Sequence, residues 1–273
     1  MNSTAAGYSA SDHTFVVCAY KENHYLEETI SSLERQSTKS SILVSTSTPN
    51  EYIRAICNKH QIEMVVNPSP HYAGDDWNYG YNCANTPLVT IVHQDDNYES
   101  TYLEEILSAF NAYPLRDVLI AFSDYYEIRN DRPVQSNLML RVKRVMNHPF
   151  RLSSLNKLSF IKKSVLRFGC PICCPAVTLN KELLGDSVFD TTLKDSCDYK
   201  TWVNLASCSG RFVYIKERLV GHRIYLGSAT SRNLEDDIRT AETLSILEML
   251  WPRSIARLVN RVYSASEKLN TVN

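Results

Sequence analysis

Two adjacent carboxylates, Asp95 and Asp96, end the apolar, β-branched run 89–92. Like charges this close repel unless a cation or a partner lies between them. Hard oxygen donors suit Mg²⁺ or Mn²⁺, and such a cation most often grips a phosphate. The bland reading is that the pair opens a turn and caps a helix over 99–110, since Asp favours both places. A second acidic pair, Asp75 and Asp76, stands at the entrance of another helix, where backbone amides favour anions. Further along, Asp198 follows Ser196 at the start of an amphipathic segment and suits either a general base or an N-cap. His222 and Arg223 complete the set: a lone His is more often structural, whereas a guanidinium pairs well with phosphate oxygens.

The elements that must carry these residues alternate in type. Residues 14–19 read as a buried strand and 25–36 as a helix with Leu26, Ile30 and Leu33 on one face. A strand at 41–44 breaks into STSTPN, 51–60 reads as helix, and 62–66 as a third strand. Strand, helix, strand, helix, strand is the pattern of a nucleotide-binding half of a doubly wound sheet, whose ligands lie at the carboxyl ends of the strands. The acidic strand arrives fourth, after a helix that starts at 75–76 and ends near 85. Residues 117–122 form a fifth strand running on to 126. Strands at 175–179 and 212–215 and a helix at 196–207 follow, and helices at 235–251 and 253–267 close the chain.

Bulk properties bound the rest. With 273 residues and 44% hydrophobic content, the chain can bury the core of one large α/β domain or of a domain plus an appendage. A net charge of −1 argues against bulk attraction to nucleic acid. No apolar run reaches the ~18 residues of a membrane span, and residues 1–13, rich in Ser, Ala and Thr, lack a signal-peptide core and are expected to be disordered. A cytoplasmic location is therefore expected, with the eight cysteines as free thiols. Cys170-Pro171-Ile172-Cys173-Cys174 offers half a zinc site without a second half at useful spacing, and packing cysteines are expected instead.

From 141 to 167 the chain carries Arg141, Lys143, Arg144, Arg151, Lys157, Lys162, Lys163 and Arg167 and no acid. This is either a solvated helical surface or an anion-binding or membrane-facing one. In the last helix Ile255, Leu258, Val259 and Val262 share a face, with Arg253, Arg257 and Arg261 elsewhere. Packing onto the body is the expectation for that face, although an Arg-rich amphipathic helix can also lie on an anionic bilayer.

Taken in order, TFVVCAYKE, STSTPN, GDDWNYGY, VTIVHQDDNY, SCDYKTWVNLA and GHRIYLGSATS resemble the family 2 glycosyltransferases, and the tail WPRSIARLVNRVYSASEKLN looks like that of bacterial members. The resemblance covers residues 14 to 231. It implies the α/β GT-A fold, a Rossmann-like, mostly parallel mixed sheet with flanking helices, here with a C-terminal helical extension from 232 to 273. Residues 14–98 would be the nucleotide-binding half and 99–231 the acceptor half. The implied activity is inverting transfer of a sugar from a nucleoside-diphosphate sugar to a hydroxyl of a glycan or lipid-linked glycan, in cell-surface polysaccharide or glycolipid synthesis. Asp96 matches the family's ligand for Mn²⁺ or Mg²⁺ and Asp95 the residue near the donor ribose. Asp198 matches the catalytic base. Ala19, Tyr20, Glu22, Thr46, Ser47, Asp76 and Asn78 match positions around the donor nucleotide.

Two departures stand out. The strand-two turn carries hydroxyl residues where many relatives have Asp, and the frequent RxH of the closing segment reads Arg223-Ile224-Tyr225 here. His222 is kept as a metal-ligand candidate, although neighbours on an extended segment point oppositely and it cannot simply replace a side chain at 225. Arg223 is expected on the diphosphate. The basic stretch and last helix would give peripheral contact with the inner membrane face. Two other readings compete: a degenerate transferase kept as a scaffold, and a sugar nucleotidyltransferase, against which the absence of a glycine-rich loop after strand one counts.

Overall fold

In the computed structural model the described residues are 7–225 and 238–268. The chain runs β1 (His13–Ala19), α1 (Leu26–Glu34), β2 (Ser41–Thr46), α2 (Glu51–His60), β3 (Glu63–Val66), α3 (Ala73–Cys83), β4 (Leu88–His93), β5 (Asn97–Tyr98) and α4 (Tyr102–Asn111). It continues with β6 (Val118–Arg129), β7 (Arg132–Val134), α5 (Leu138–Asn147), α6 (Ser159–Leu166), β8 (Val177–Asn180), α7 (Lys181–Leu184), α8 (Cys197–Leu205) and β9 (Arg211–Ile224). Two further helices, α9 (Ile238–Glu248) and α10 (Arg253–Lys268), follow. The strands form one sheet in the order β3-β2-β1-β4-β8-β6-β9-β5, with β7 beside β6.

The expected parallel half is there: β1 pairs in parallel with both β2 and β4, and β2 with β3. β8 then enters antiparallel between β4 and β6, while β9 runs parallel to β6. The sheet is therefore mixed, and the carboxyl ends of β1, β2 and β4 face the same edge. Strand alternation divides the core. Phe15 and Val17 pack with Leu26, Ile30, Ile53 and Leu103 under α1, α2 and α4. Val16 turns the other way and joins Tyr81, Phe122, Trp202 and Phe212 under α3 and α8. Gly80 permits the close approach of α3, because a Cβ there would stand 2.7 Å from Val16 Cγ1 and 2.8 Å from Ser45 Cβ.

Several elements depart from the expected bounds. β6 and β9 are far longer than the apolar runs that announce them, 12 and 14 residues. Charged residues interrupt both patterns, yet Asp124 is buried against Arg144 and Glu127 against Arg129 and Asn137. α3 starts before the acidic pair: Asp75 accepts from Tyr72 N at 3.0 Å and closes the first turn. Residues 7–13 are packed, contrary to the expected disordered lead. Tyr8 N donates to Asn111 Oδ1 at 2.8 Å, and its ring meets Phe110 edge-on at 5.8 Å. Residues 1–6 lie outside the described residues, as do 226–231 of the closing segment and 235–237 of the expected penultimate helix.

The last helix is turned from the expected orientation. Its buried side carries Ala256, Asn260 and Ser264, and Ile255, Leu258 and Val262 point outward. The helical extension does not stand apart, because Ile246, Leu247 and Ala256 belong to the same core as Trp202. All eight cysteines are free, with Cys170 and Cys174 in that core.

Candidate active site

β4 delivers the acidic pair to the carboxyl edge, and a reciprocal clamp fixes the turn. Gln94 Oε1 accepts from Tyr20 N at 2.9 Å and its Nε2 donates to Tyr20 O at 3.0 Å, tying the end of β1 to the turn after β4. Thr29 Oγ1, on α1, donates to Asp96 O at 2.8 Å.

Asp96 is the most enclosed acid of the site, its side chain 0% exposed. Its Oδ1 meets His222 Nδ1 at 3.0 Å and accepts from Arg223 N at 2.9 Å. Its Oδ2 is buried without a hydrogen-bond partner among the described residues, and His93 Nδ1 stands 3.7 Å away. Burial by itself would raise this carboxyl, but His222, His93 and the Arg223 amide outweigh it and hold Asp96 below the ordinary carboxylate range. Asp95 behaves oppositely, pushed up by burial and then by Asp96. For His222, burial lowers the ring and the two aspartates more than compensate, leaving it raised.

An orphaned carboxylate oxygen is costly and is what a hard cation would satisfy. The described residues form no cluster of three His, Cys, Asp or Glu placed to cage a metal. The donor set fits the other common arrangement, one or two carboxylates with substrate phosphates completing the shell. Asp96 Oδ2 would be the ligating atom in that arrangement, with His222 beside it. Position 225 lies elsewhere: Tyr225 OH donates to Asp95 Oδ2 at 2.9 Å.

Arg223 is not presented to a diphosphate. Its Nε donates to Asp95 O at 3.0 Å, one Nη to Asp131 Oδ1 at 2.7 Å and the other to Glu28 Oε1 at 2.9 Å. The guanidinium also stacks 3.8 Å over the Tyr25 ring. With each nitrogen bonded it braces the acidic turn from behind. Asn78 is likewise committed: its amide donates to Phe189 O at 2.8 Å and its oxygen accepts from Phe189 N at 2.9 Å. It joins α3 to the 185–196 loop.

The other residues expected around a nucleotide lie at the ends of β1 and β2 and the start of α3. Asp76 accepts from Ser47 Oγ at 2.7 Å and from Asn67 Nδ2 at 2.8 Å, which fixes its carboxylate at the mouth of β2. Thr46 is buried and turns its hydroxyl to Thr48 N, 3.1 Å away. Ala19 is buried at the end of β1, and Tyr20 and Glu22 are exposed beyond it.

Asp198 sits at the first turn of α8, its Oδ1 2.7 Å from Tyr199 N. Burial raises its carboxyl, with Arg239 and the Tyr199 amide pulling the other way. Its charge reaches a group that also feels Asp96. The Cys173 thiol feels both charges, and Lys143, bonded to Tyr125 OH at 3.0 Å, acts on Asp198, His222 and Cys173 alike. The loop before α8 is held from outside: Glu242 on α9 accepts from Lys194 N, Asp195 N and Ser196 N at 2.7, 3.0 and 2.8 Å, and Arg239 pairs with Asp195 at 2.7 Å.

Sequence reasoning missed four contributors. Gln94 and His93 lie inside the HQDD run, so adjacency to the acids was the available signal. His93 also stacks on Trp77 at 5.1 Å. Lys143 and Glu242 carry no local signal, because Lys143 acts on groups as far as His222, and Glu242 bonds amides 46 to 48 positions away from a separate helix.

The chain matches the family model described as "Glycosyl transferase family 2" over residues 14–185. No match is found among curated protein sequences. Among solved structures it is similar to S. aureus TarS 1–349 in complex with UDP-GlcNAc (TM-score 0.61, 15% identity, 91% of this chain and 70% of that one). It is also similar to the mannosyltransferase PcManGT from Pyrobaculum calidifontis in complex with GDP-Man and Mn²⁺ (0.61, 15%, 97% and 77%). A third similar structure is glucosyl-3-phosphoglycerate synthase from Mycobacterium tuberculosis with Mn²⁺, UDP and phosphoglyceric acid (0.56, 12%, 87% and 78%). At these identities the likeness is one of fold.

Proposed function

Because the chain belongs to glycosyl transferase family 2 and has its GT-A fold, we propose that it is a metal-dependent inverting glycosyltransferase. It moves a sugar from a nucleoside-diphosphate sugar to a hydroxyl of a glycan or lipid-linked glycan, in cell-surface polysaccharide or glycolipid synthesis. The observation that carries this reading is the orphaned Oδ2 of Asp96, with Cys173 feeling the charges of both Asp96 and the raised carboxyl of Asp198.

In this reading the nucleotide lies along the edge formed by Ala19, Tyr20, Glu22, Thr46, Ser47 and Asp76, with Asp95 beside the ribose. Mn²⁺ or Mg²⁺, held by Asp96 with His222 adjacent, supplies neutralisation of the charge that grows on the departing diphosphate. Asp198 takes the proton of the acceptor hydroxyl as its oxygen bonds to the anomeric carbon. The bond from that carbon to the diphosphate oxygen breaks in the same displacement, its electron pair leaves with the diphosphate, and the configuration inverts. A base raised by burial is better matched to neutral pH than an ordinary carboxylate. The UDP-GlcNAc, GDP-Man and Mn²⁺ bound in the similar structures support a nucleotide-sugar donor and a divalent ion.

Among the described residues no helix is long and apolar enough to cross a membrane. A cytoplasmic enzyme with peripheral contact at the inner membrane face is part of the proposal. The test is release of nucleoside diphosphate from a panel of common sugar nucleotides, with and without Mn²⁺. Release that depends on both Asp96 and Asp198 is expected. Silence with every donor would leave a scaffold as the better reading.

A further inference from the structure

The outward side of α10 is apolar where a surface helix is ordinarily polar. Ile255, Leu258 and Val262 are 40, 63 and 67% exposed, and the inward side carries Ala256, Asn260 and Ser264, with Val259 partly buried against the core. A stripe turned inward would gain roughly 1.5–3 kcal/mol for each large side chain buried, so its orientation calls for a cover. α5 repeats the arrangement: Leu140 is buried while Leu138 and Val145 are 77 and 75% exposed. Phe160 on α6 and Phe168 just after it are exposed as well. Large apolar side chains left exposed on neighbouring helices mark an interaction site.

The three helices gather around one loop, 167–173. Asn147 at the end of α5 donates to Pro171 O at 3.1 Å. Trp251, leading into α10, donates to Arg167 O at 2.9 Å and meets Phe168 edge-on at 5.8 Å. Gly169 is held so close to Tyr263 of α10 that a Cβ would stand 2.2 Å from the ring. The same loop ends in Cys173, which feels the charges of both Asp96 and Asp198.

Charge identifies what covers it. No Asp or Glu occurs between Asp131 and Glu182, nor in α10 before Glu267. Arg141, Arg151, Arg257 and Arg261 are exposed. Beside Val145 a cavity of about 450 Å³ is lined by Arg144, Arg151, Lys216 and Arg218 with one acid, Asp124. A second copy of the chain would bring arginines against arginines, and a nucleic acid would leave the apolar stripes in water. We propose that this surface docks on a bilayer containing anionic lipid, with the stripes of α5 and α10 at the acyl boundary and the arginines among the phosphates. The inference rests on the transfer reading for its purpose, which is to bring a lipid-linked acceptor to Asp198.

The test is flotation of the full chain with vesicles of phosphatidylcholine alone and of phosphatidylcholine mixed with phosphatidylglycerol. Binding is expected to the anionic vesicles and to weaken with salt. The pair Leu258→Glu and Val262→Glu, and separately Arg257→Glu with Arg261→Glu, are expected to lower it by roughly ten-fold or more, with unchanged melting temperature and unchanged donor hydrolysis in solution. Equal binding to neutral vesicles, no binding to either, or full binding by both variants would overturn the proposal. A dimer in sedimentation that becomes monomeric in the Leu258→Glu, Val262→Glu variant would also overturn it, naming a second copy as the cover. Donor hydrolysis without flotation removes the membrane surface alone, and flotation without donor hydrolysis removes the transfer reading alone.

Discussion

Asp96 Oδ1 and His222 Nδ1 stand 3.0 Å apart, and this contact engages one carboxylate oxygen while the other stays buried and unbonded. His222 therefore orients the acid whose second oxygen is left for a ligand. Replacing Asp96 by Asn removes the charge and puts an amide against either His222 or the ligand position. Asp96→Asn is expected to lower nucleoside-diphosphate release about 100-fold or more. The same variant should abolish the rise in melting temperature given by Mn²⁺ with a nucleoside diphosphate. An undiminished thermal shift would place the ion elsewhere.

Asp198 combines a functional and a thermodynamic expectation. Its folded pKa lies above its unfolded value because burial disfavours the charged form. The unfolded chain thus ionises it more readily, and above the ordinary carboxylate range the group costs stability. Asp198→Asn is expected to reduce transfer by about 100-fold or more and to raise the melting temperature near neutral pH, a gain that fades in acid. As the base must be deprotonated, the acid limb of the pH–rate profile should fall above the ordinary carboxylate value. A destabilised Asn variant would contradict this.

His13 governs part of the acid stability. The ring is fully buried between Ser40 Oγ at 2.9 Å and Thr90 Oγ1 at 2.8 Å, and burial pushes it down to about 3. Below the unfolded value of about 6.5 the unfolded chain binds a proton that the folded chain refuses. Stability is then lost as pH falls through that window, at up to about 1.4 kcal/mol per pH unit. His13→Gln is expected to flatten the change in urea midpoint between neutral and mildly acidic buffer. An unaltered slope would refute the assignment.

Glu242 positions the loop before the candidate base through three amides. Glu242→Gln keeps one accepting oxygen and is expected to cost roughly 1.5–3 kcal/mol of stability. Turnover should fall while the donor KM stays near wild type, since the nucleotide edge lies on β1, β2 and α3. A change confined to donor KM would show that the loop serves the donor instead.

The parallel half of the sheet was legible because its strands are apolar runs and one of its helices has a clean cap at Asn50, whose side chain accepts from Ile53 N. The acidic turn was legible because charge after a buried strand is costly and therefore conspicuous. Less could be read from 118 onward, where Asp124 and Glu127 break an apolar pattern yet remain buried through partners 20 and 10 residues away. Arg223 illustrates the same limit within the site. A guanidinium beside an acidic turn suits a phosphate, and only the fold reveals that Glu28, 195 positions distant, already holds it. The last helix misled for another reason: periodicity separates its two faces, and it does not say which of them turns toward the body.

Asn78 bonds Phe189 through both ends of its amide across 111 positions of chain, and Gly74 abuts Asp190 so tightly that a Cβ would lie 2.0 Å from its carbonyl oxygen. These contacts seat the segment leading to residue 198 on helix 73–83, so in the proposed transfer reading the helix that borders the donor also supports the base.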